Sequence, residues 1–83
     1  MSEELLAYLA RELVDDPAAV RVEEEERDDA LVLVLHVGPD DVGKVIGRQG
    51  RIARALRTLV RASSARDGRR VLVEIADPDD PDE

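Results

Sequence analysis

Residues 47–50 read Gly-Arg-Gln-Gly, a Gly-x-x-Gly turn with hydrophobic residues on both sides. Glycine at each end lets the backbone adopt positive φ and lets a ligand approach without a Cβ in the way. Between the glycines, Arg48 offers a charged fork and Gln49 a neutral donor, and both suit phosphate oxygens. A helix that begins directly after the turn would point its free amides and the positive end of its dipole at the same place. This spacing therefore favours the binding of a sugar–phosphate chain.

Two other glycine motifs that bind phosphates do not fit this turn. A Walker A loop requires Gly-x-x-x-x-Gly-Lys-Ser/Thr after a strand, whereas Lys44 precedes the turn. The dinucleotide fingerprint requires Gly-x-Gly-x-x-Gly, and the intervals between Gly43, Gly47 and Gly50 differ from it. An ordinary helix–helix turn is the simplest alternative, but the Val-Ile before the turn and the basic residues after it favour ligand binding.

The charge of the chain is unevenly distributed. Residues 43–70 contain nine basic residues and one acidic residue, a net charge of +8, although the whole chain of 83 residues carries −8 at pH 7. The remaining residues therefore carry −16. Within the basic segment, four arginines follow the turn at helical spacing, on an arc separate from the apolar side chains: Arg51, Arg54, Arg57 and Arg61. Such a run can be a solvated helix face, and composition alone does not decide between that interpretation and an anion site.

The apolar pattern predicts six elements around the turn. Helical spacing of leucines predicts a helix over residues 2–14, which ends before Pro17. Val20 and Val22 alternate with charged residues as a short strand that fades into the glutamates 23–26, and residues 27–29 form a turn. The nearly unbroken apolar run 30–37 predicts a central strand that is buried on both faces.

After that strand the period changes from β to helical. A short helix begins at Val42, the Gly-x-x-Gly turn interrupts it, and a second helix follows over 51–65. Val71, Val73 and Ile75 alternate as a last strand. Residues 77–83 contain five acidic residues and two prolines, a composition that predicts a disordered tail.

This order predicts an α+β fold with a three-stranded mixed sheet and helices packed on one face. The tight turn pairs the first two strands antiparallel, and the two-helix crossover places the last strand parallel to the second. The other face would then expose part of Val32, Val34 and Leu72 to solvent. An exposed apolar face on so small a protein suggests a partner or a homodimer.

Catalysis and metal binding find little support in the composition. The chain has no Cys and one His, His36, without a second ligand at metal-binding spacing. The paired aspartates fall in turns or at helix starts, where Asp is expected for capping. The absence of Phe and Trp argues against aromatic platforms of the OB or RRM type. Neither a signal peptide nor an apolar run of 18 residues is present, so we expect a cytoplasmic protein with no membrane span, no metal and no cofactor.

The segment VGKVIGRQGRIARAL resembles the signature of the KH domain, an RNA-binding module whose Gly-x-x-Gly loop clamps about four nucleotides. The αββααβ order matches the type II KH fold, and one KH domain would occupy residues 1–76. The chain is most similar to the small free-standing bacterial KhpA family. This resemblance implies a chaperone-like role in post-transcriptional regulation through small and messenger RNAs, with homodimerisation and pairing with the larger KH protein KhpB.

The expected RNA-binding residues follow from the turn and from the resemblance. Gly47 and Gly50 would permit close approach, and Arg48 and Gln49 would contact phosphates. Three aliphatic side chains would shape the groove for the bases, namely Val45, Ile46 and Ile52. Three further cations would add positive charge, namely Lys44, Arg51 and Arg54.

An alternative function belongs to a different class. The chain could be a protein-interaction subunit that mainly pairs with a larger KhpB-like partner, with weak or indirect RNA contact. The net charge of −8 and the exposed sheet face favour this alternative. The glutamates 23–26 would also weaken RNA binding if they flank the groove.

Overall fold

The computed structural model describes residues 2–65 and 68–76. The helices and strands follow the order α1, β1, β2, α2, α3, β3. Their bounds are Ser2–Leu13 for α1, Arg21–Arg27 for β1, Ala30–His36 for β2, Val42–Ile46 for α2, Arg51–Ser64 for α3 and Arg70–Ile75 for β3. Single 3-10 turns at Pro17–Ala19, Pro39–Asp41 and Arg48–Gly50 lie between them. The predicted acidic tail, 77–83, lies outside the described residues.

The three strands form one sheet in the order β1-β2-β3. β1 pairs antiparallel with β2, with Arg21 opposite His36 and Arg27 opposite Ala30. β3 pairs parallel with β2, with Ala30 opposite Arg70. The predicted mixed sheet is therefore confirmed, with β2 in its centre.

The core lies between the sheet and the helices. Because side chains alternate along a strand, every second residue of β2 and β3 faces the helices. The buried cluster comprises Leu6, Ala7, Ala10, Val20, Leu33, Leu35, Val45, Leu56, Val60, Val71 and Val73. Each fully buried Leu or Val contributes about 1.5–3 kcal/mol to stability. The helices thus pack on one face, as the α+β prediction requires.

The glutamates 23–26 form part of a strand, which corrects the prediction that the strand fades there. β1 continues to Arg27 and pairs with β2 over its whole length. The backbone groups of β2 need partners on that side, and an edge strand tolerates charged side chains on both faces. The strand pairing therefore outweighs the poor β propensity of the glutamates.

The helix-free face of the sheet corrects a second prediction. Val32 and Val34 point to that face, yet their exposed fractions are 0% and 7%, while Leu72 is half-buried. Arg27 donates from Nη1 to Glu74 Oε2 at 2.7 Å and from Nη2 to Glu74 Oε1 at 3.3 Å. Arg27 lies opposite Ala30 of β2, and Glu74 lies opposite Val34. The ion pair between them therefore passes over Val32, which lies between those two residues of β2. Long charged side chains on the two edge strands thus cover the apolar residues of the middle strand.

Candidate nucleic-acid interface

The turn between α2 and α3 has a backbone that only glycine tolerates at its first position. Gly47 has φ 77° and ψ 171°, and its amide donates to Gly43 O at 2.9 Å. A Cβ on Gly47 would lie 2.6 Å from Ile52 Cγ1. Gly50, with φ 73° and ψ 17°, is left-handed and donates to Gly47 O at 3.1 Å. The two predicted glycines therefore fix the turn for different reasons, crowding at Gly47 and chain direction at Gly50.

The two residues between the glycines stand at the tip of the turn. Arg48 and Gln49 are both exposed, and Gln49 has a positive φ of 59°. Gln49 Oε1 accepts a hydrogen bond from Arg51 Nη2 at 3.2 Å. No side chain of the described residues caps the N-terminus of α3. The amide of its first residue, Arg51, donates to the backbone carbonyl of Arg48, so a ligand would meet the amides that follow it in the first turn. The Arg48 guanidinium therefore lies beside the Gln49 side-chain amide and the N-terminus of α3 at one exposed position.

The predicted aliphatic wall is only partly at the surface. Ile46 and Ile52 are half-buried and reach the surface beside the turn. Val45 has no exposed surface and belongs to the core. Val45 therefore supports the wall from behind, and only the two isoleucines are available to touch a base.

Lys44 is held by two carboxylates. Its Nζ lies 3.0 Å from Asp15 Oδ2 and 3.1 Å from Asp41 Oδ1. The hydrogen bonds to Asp15 and then Asp41 raise the pKa of Lys44 above its usual range. Its charge is therefore balanced locally, and Lys44 fastens α2 to the segment after α1 instead of standing free for a phosphate.

Asp41 is the buried centre of this attachment, at 3% exposed. Its carboxylate accepts hydrogen bonds from the backbone amides of Asp15 at 3.3 Å and Asp16 at 3.1 Å. Burial raises the pKa of Asp41, but the hydrogen bonds from Asp15, Lys44 and Asp16 outweigh it and hold the pKa below its usual range. Sequence reasoning missed this role because the two amides lie 26 and 25 residues away along the chain.

A row of arginines follows α3 from the turn. Arg57 is half-buried, and its Nε donates to the backbone carbonyl of Val73 at 3.3 Å. Since β3 is an edge strand, this bond places that side of α3 along the outer edge of the sheet. Arg54 and Arg51 line an open hollow whose other described residues all belong to α3. Of the predicted basic arc, Arg57 therefore borders the groove between α3 and β3, and Arg51 and Arg54 are exposed on α3.

The glutamates 23–26 do not flank this groove. They lie in β1, at the edge of the sheet opposite β3. Glu23 pairs with Arg21 and His36, and Glu25 pairs with Arg27, all within β1 and β2. Glu26 instead reaches across the sheet to Arg69, directly before β3. Glu24 forms a hydrogen bond with Glu3, which raises the pKa of Glu3 above its usual range. β1 thus places the glutamates at the edge of the sheet away from β3, except that the side chain of Glu26 reaches Arg69.

Residues 2–65 and 68–76 contain neither a candidate metal site nor a candidate membrane span. No group of three or more His, Cys, Asp or Glu side chains comes together there in a way that could hold a metal ion. His36 contacts Glu23 on the sheet surface. Within the same residues, every helix is too short or too polar to cross a bilayer.

Comparisons with known proteins agree with this geometry. Residues 3–75 match the family described as KhpA/KhpB, KH domain. The RNA-binding protein KhpA of Treponema pallidum is 52% identical over 77 residues, which cover 93% of this chain and 96% of that protein. RNA-binding protein KhpA of Caldanaerobacter subterraneus subsp. tengcongensis is 50% identical over 72 residues, covering 87% and 96%. Both relatives are named RNA-binding proteins, and the matched family is a KH domain, in agreement with the prediction of a non-catalytic RNA-binding module.

The solved structures that resemble this chain support the fold alone. Aquifex aeolicus Era bound to GDP and AlF4⁻ aligns with a TM-score of 0.65 and 21% identity over 89% of this chain. Era in complex with MgGDPNP and nucleotides of 16S ribosomal RNA aligns with a TM-score of 0.64 and 20% identity. This chain spans only 28–29% of the length of those Era chains. From the family match and the identities to its relatives, the chain belongs to the KhpA/KhpB family of KH-domain proteins.

Proposed function

We propose that this protein binds single-stranded RNA by clamping its backbone at the Gly47–Gly50 turn, with no chemical step. The single observation that carries this proposal is the exposed tip, where Arg48 and Gln49 stand beside the uncapped N-terminus of α3. Anions bind well at such a helix terminus because the amides and the dipole both attract negative charge. The names of the relatives, RNA-binding protein KhpA, support RNA as the anion.

In this proposal the bases lie beside the Gly47–Gly50 turn. The groove between α3 and β3 is bordered by Arg57 on the helix side and by the outer edge of β3 on the other. Ile46 and Ile52 offer an aliphatic surface near the turn. An aliphatic surface accepts unpaired bases without aromatic stacking, and bases within a duplex would not reach it. This favours single-stranded RNA over duplex RNA.

The electrostatics predict modest, salt-dependent binding. Each phosphate that the protein neutralises on a single strand contributes about −0.7 to the slope of log K against log salt. With Lys44 paired to Asp15 and Asp41, the grip at the turn rests on Arg48, Arg51 and the helix N-terminus. We therefore expect a small slope for a short oligonucleotide and affinity that falls as salt is added.

The test replaces the tip by acidic residues. Arg48→Asp/Gln49→Asp should abolish RNA binding in a filter-binding or anisotropy assay, while circular dichroism and the melting temperature stay unchanged. The matched control, Arg11→Asp/Ala18→Asp, changes the net charge by the same amount at two exposed positions outside the turn. It should keep most of the affinity. Wild-type affinity in the tip variant would overturn the proposal.

The cellular role and the partners form the finer part of the proposal. We propose a chaperone-like role on small and messenger RNAs in the cytoplasm, as a homodimer or paired with a KhpB-like KH protein. The family description, which joins KhpA with KhpB, supports the second partner. Light scattering gives the oligomeric state, and crosslinking in cells followed by RNA sequencing identifies the RNAs.

One of the two observations that favoured a protein-interaction subunit, the exposed apolar sheet face, does not hold in the structure. That alternative relied partly on an exposed apolar sheet face, and Val32 and Val34 are covered by charged side chains. A gel shift with and without a KhpB-like partner separates the two functions. RNA bound by this chain alone favours the RNA-binding proposal, and RNA bound only with the partner favours the alternative.

A further inference from the structure

A second basic site lies at the far end of α3 from the turn. An open pocket of about 370 Å³ separates the end of α3 from the start of β3. The described residues that line it are Arg61, Ser64, Ala65, Arg69, Arg70, Val71 and Leu72. Three of these are arginines and none is a carboxylate. A pocket with this lining suits an anion.

Two of the three arginines are available to a ligand. Arg69 is engaged by Glu26 of β1. Arg61 and Arg70 are exposed, and neither forms an ion pair with another described residue. Ser64 is buried, and its Oγ donates to Arg61 O at 3.1 Å, so its hydroxyl proton serves the helix. The two guanidinium groups are therefore the donors that an incoming anion would meet.

The pocket differs physically from the turn. A helix C-terminus carries roughly half a negative charge, which disfavours an anion, whereas Arg61 and Arg70 together contribute two positive charges. The guanidinium charges therefore outweigh the dipole, and binding here depends on side chains. At the turn, by contrast, the backbone of α3 itself attracts the ligand.

The two sites are joined by a continuous basic edge. Arg61 lies ten positions after Arg51 on α3, a distance of about 15 Å along the helix axis. Arg54 and Arg57 lie between them on α3; Arg57 contacts β3, and Arg54 is exposed. Successive phosphates of a stacked strand are roughly 3.4 Å apart along its axis. A strand held at the turn would therefore reach the pocket about four or five nucleotides further on.

We propose that the pocket with Arg61 and Arg70 is a second phosphate-binding site, which grips the same RNA strand beyond the nucleotides held at the turn. This inference rests on the proposed function, because it requires a strand already bound at Gly47–Gly50. The occupant is a backbone phosphate, bound by charge and by the guanidinium forks without reading a base. Affinity should then depend on oligonucleotide length beyond the first four nucleotides.

The experiment compares uridine oligonucleotides of four, eight and twelve nucleotides by fluorescence anisotropy. Wild-type protein should bind the octamer at least about tenfold more tightly than the tetramer, since the second contact is intramolecular. The double variant Arg61→Gln/Arg70→Gln should bind the tetramer like wild type and lose most of that gain. The charge-matched control Arg11→Gln/Arg21→Gln, on α1 and on the opposite edge strand, should keep it.

Amide chemical shifts provide a second measurement on the same samples. The octamer, and not the tetramer, should perturb amides around residues 64–65 and 68–71 in wild-type protein. The variant Arg61→Lys/Arg70→Lys keeps both charges without the planar forks and should retain part of the length gain. If the glutamine variant alters the circular dichroism spectrum, the lysine variant and the shift map decide the question.

The outcomes separate this inference from the proposed function. Tetramer binding with no gain for the octamer, or a gain that survives Arg61→Gln/Arg70→Gln, overturns the second site and leaves the first intact. Failure of wild-type protein to bind any of the three oligonucleotides overturns the proposed function itself. A gain that the Arg11/Arg21 control also loses shows general charge attraction and likewise rejects the second site.

Discussion

Ile52 lies directly against the α-carbon of Gly47: a Cβ built on Gly47 would be 2.6 Å from Ile52 Cγ1 and 2.9 Å from Ile52 Cβ. Ile52 is the second residue of α3, so this contact sets where the helix begins relative to the end of α2. The turn therefore has its shape because one glycine accepts the side chain of an isoleucine five residues later. The end of α2 and the start of α3, on either side of the proposed phosphate-binding turn, are therefore positioned by this contact.

Gly47→Ala should destabilise the protein more than Gly50→Ala. Gly47 combines a backbone region that is nearly exclusive to glycine, costing about 1–3 kcal/mol for other residues, with the clash against Ile52. Gly50 lies in the left-handed helical region, and a Cβ there meets no atom within 4 Å, so only about 1–2 kcal/mol of backbone strain remains. Chemical denaturation measures both variants.

The control for this comparison is Gly43→Ala within α2. A Cβ at Gly43 also meets nothing within 4 Å, and its φ is not positive. Alanine should therefore raise the free energy of unfolding by about 0.5–1 kcal/mol. Equal losses for Gly47→Ala and Gly50→Ala would contradict the role assigned to Ile52.

Asp41→Asn should lower the melting temperature at neutral pH, and the difference from wild type should shrink in acid. The pKa of Asp41 is lowered in the folded state, so its contribution to stability is fully present above the ordinary Asp pKa of about 4. That contribution is lost as the pH falls through the lower, folded-state pKa. Thermal melts of both proteins from pH 7 to pH 2 test this, and a pH-independent difference would argue against the assignment.

Lys44→Gln should change RNA binding less than Arg48→Gln. The Lys44 ammonium is already paired with Asp15 and Asp41, so its removal releases few counterions from RNA. Arg48→Gln should reduce the magnitude of the salt slope by about 0.7, the contribution of one phosphate contact. Affinities at three salt concentrations give both slopes. A larger loss for Lys44→Gln would mean that Lys44 leaves its carboxylates to bind RNA.

Arg27→Ala should destabilise the protein more than Arg21→Ala, although both residues are exposed on β1. Arg27 reaches across the sheet to Glu74 and also pairs with Glu25 at 2.7 Å, whereas Arg21 has Glu23 at 3.5 Å. Loss of Arg27 uncovers Val32, which is fully buried. The denaturation midpoints of the two variants measure this difference. Identical midpoints would show that the Arg27–Glu74 ion pair does not stabilise the protein by covering Val32.

Much of the fold could be predicted because its signals are local. The apolar run of β2, the spacing of α3 and the glycines of the turn are each visible within a window of about ten residues. The prediction was wrong where a distant partner decided the outcome. β2 draws the glutamates 23–26 into a strand, and Arg27 and Glu74, 47 residues apart, cover a face that the pattern left open.

The sequence by itself determined the order of the elements, the Gly-x-x-Gly turn and the uneven charge, because periodicity and glycine conformation act through neighbouring residues. Only the tertiary structure decided which basic side chains are paired within the protein and which are available to bind an anion. It pairs Lys44 with Asp15 and Asp41, turns Arg57 to the edge of β3, and brings Arg61 to Arg70 around one pocket. The physical reason is that Coulomb and hydrogen-bond energies depend on distances in space, and the distances between segments are set when the helices pack on the sheet.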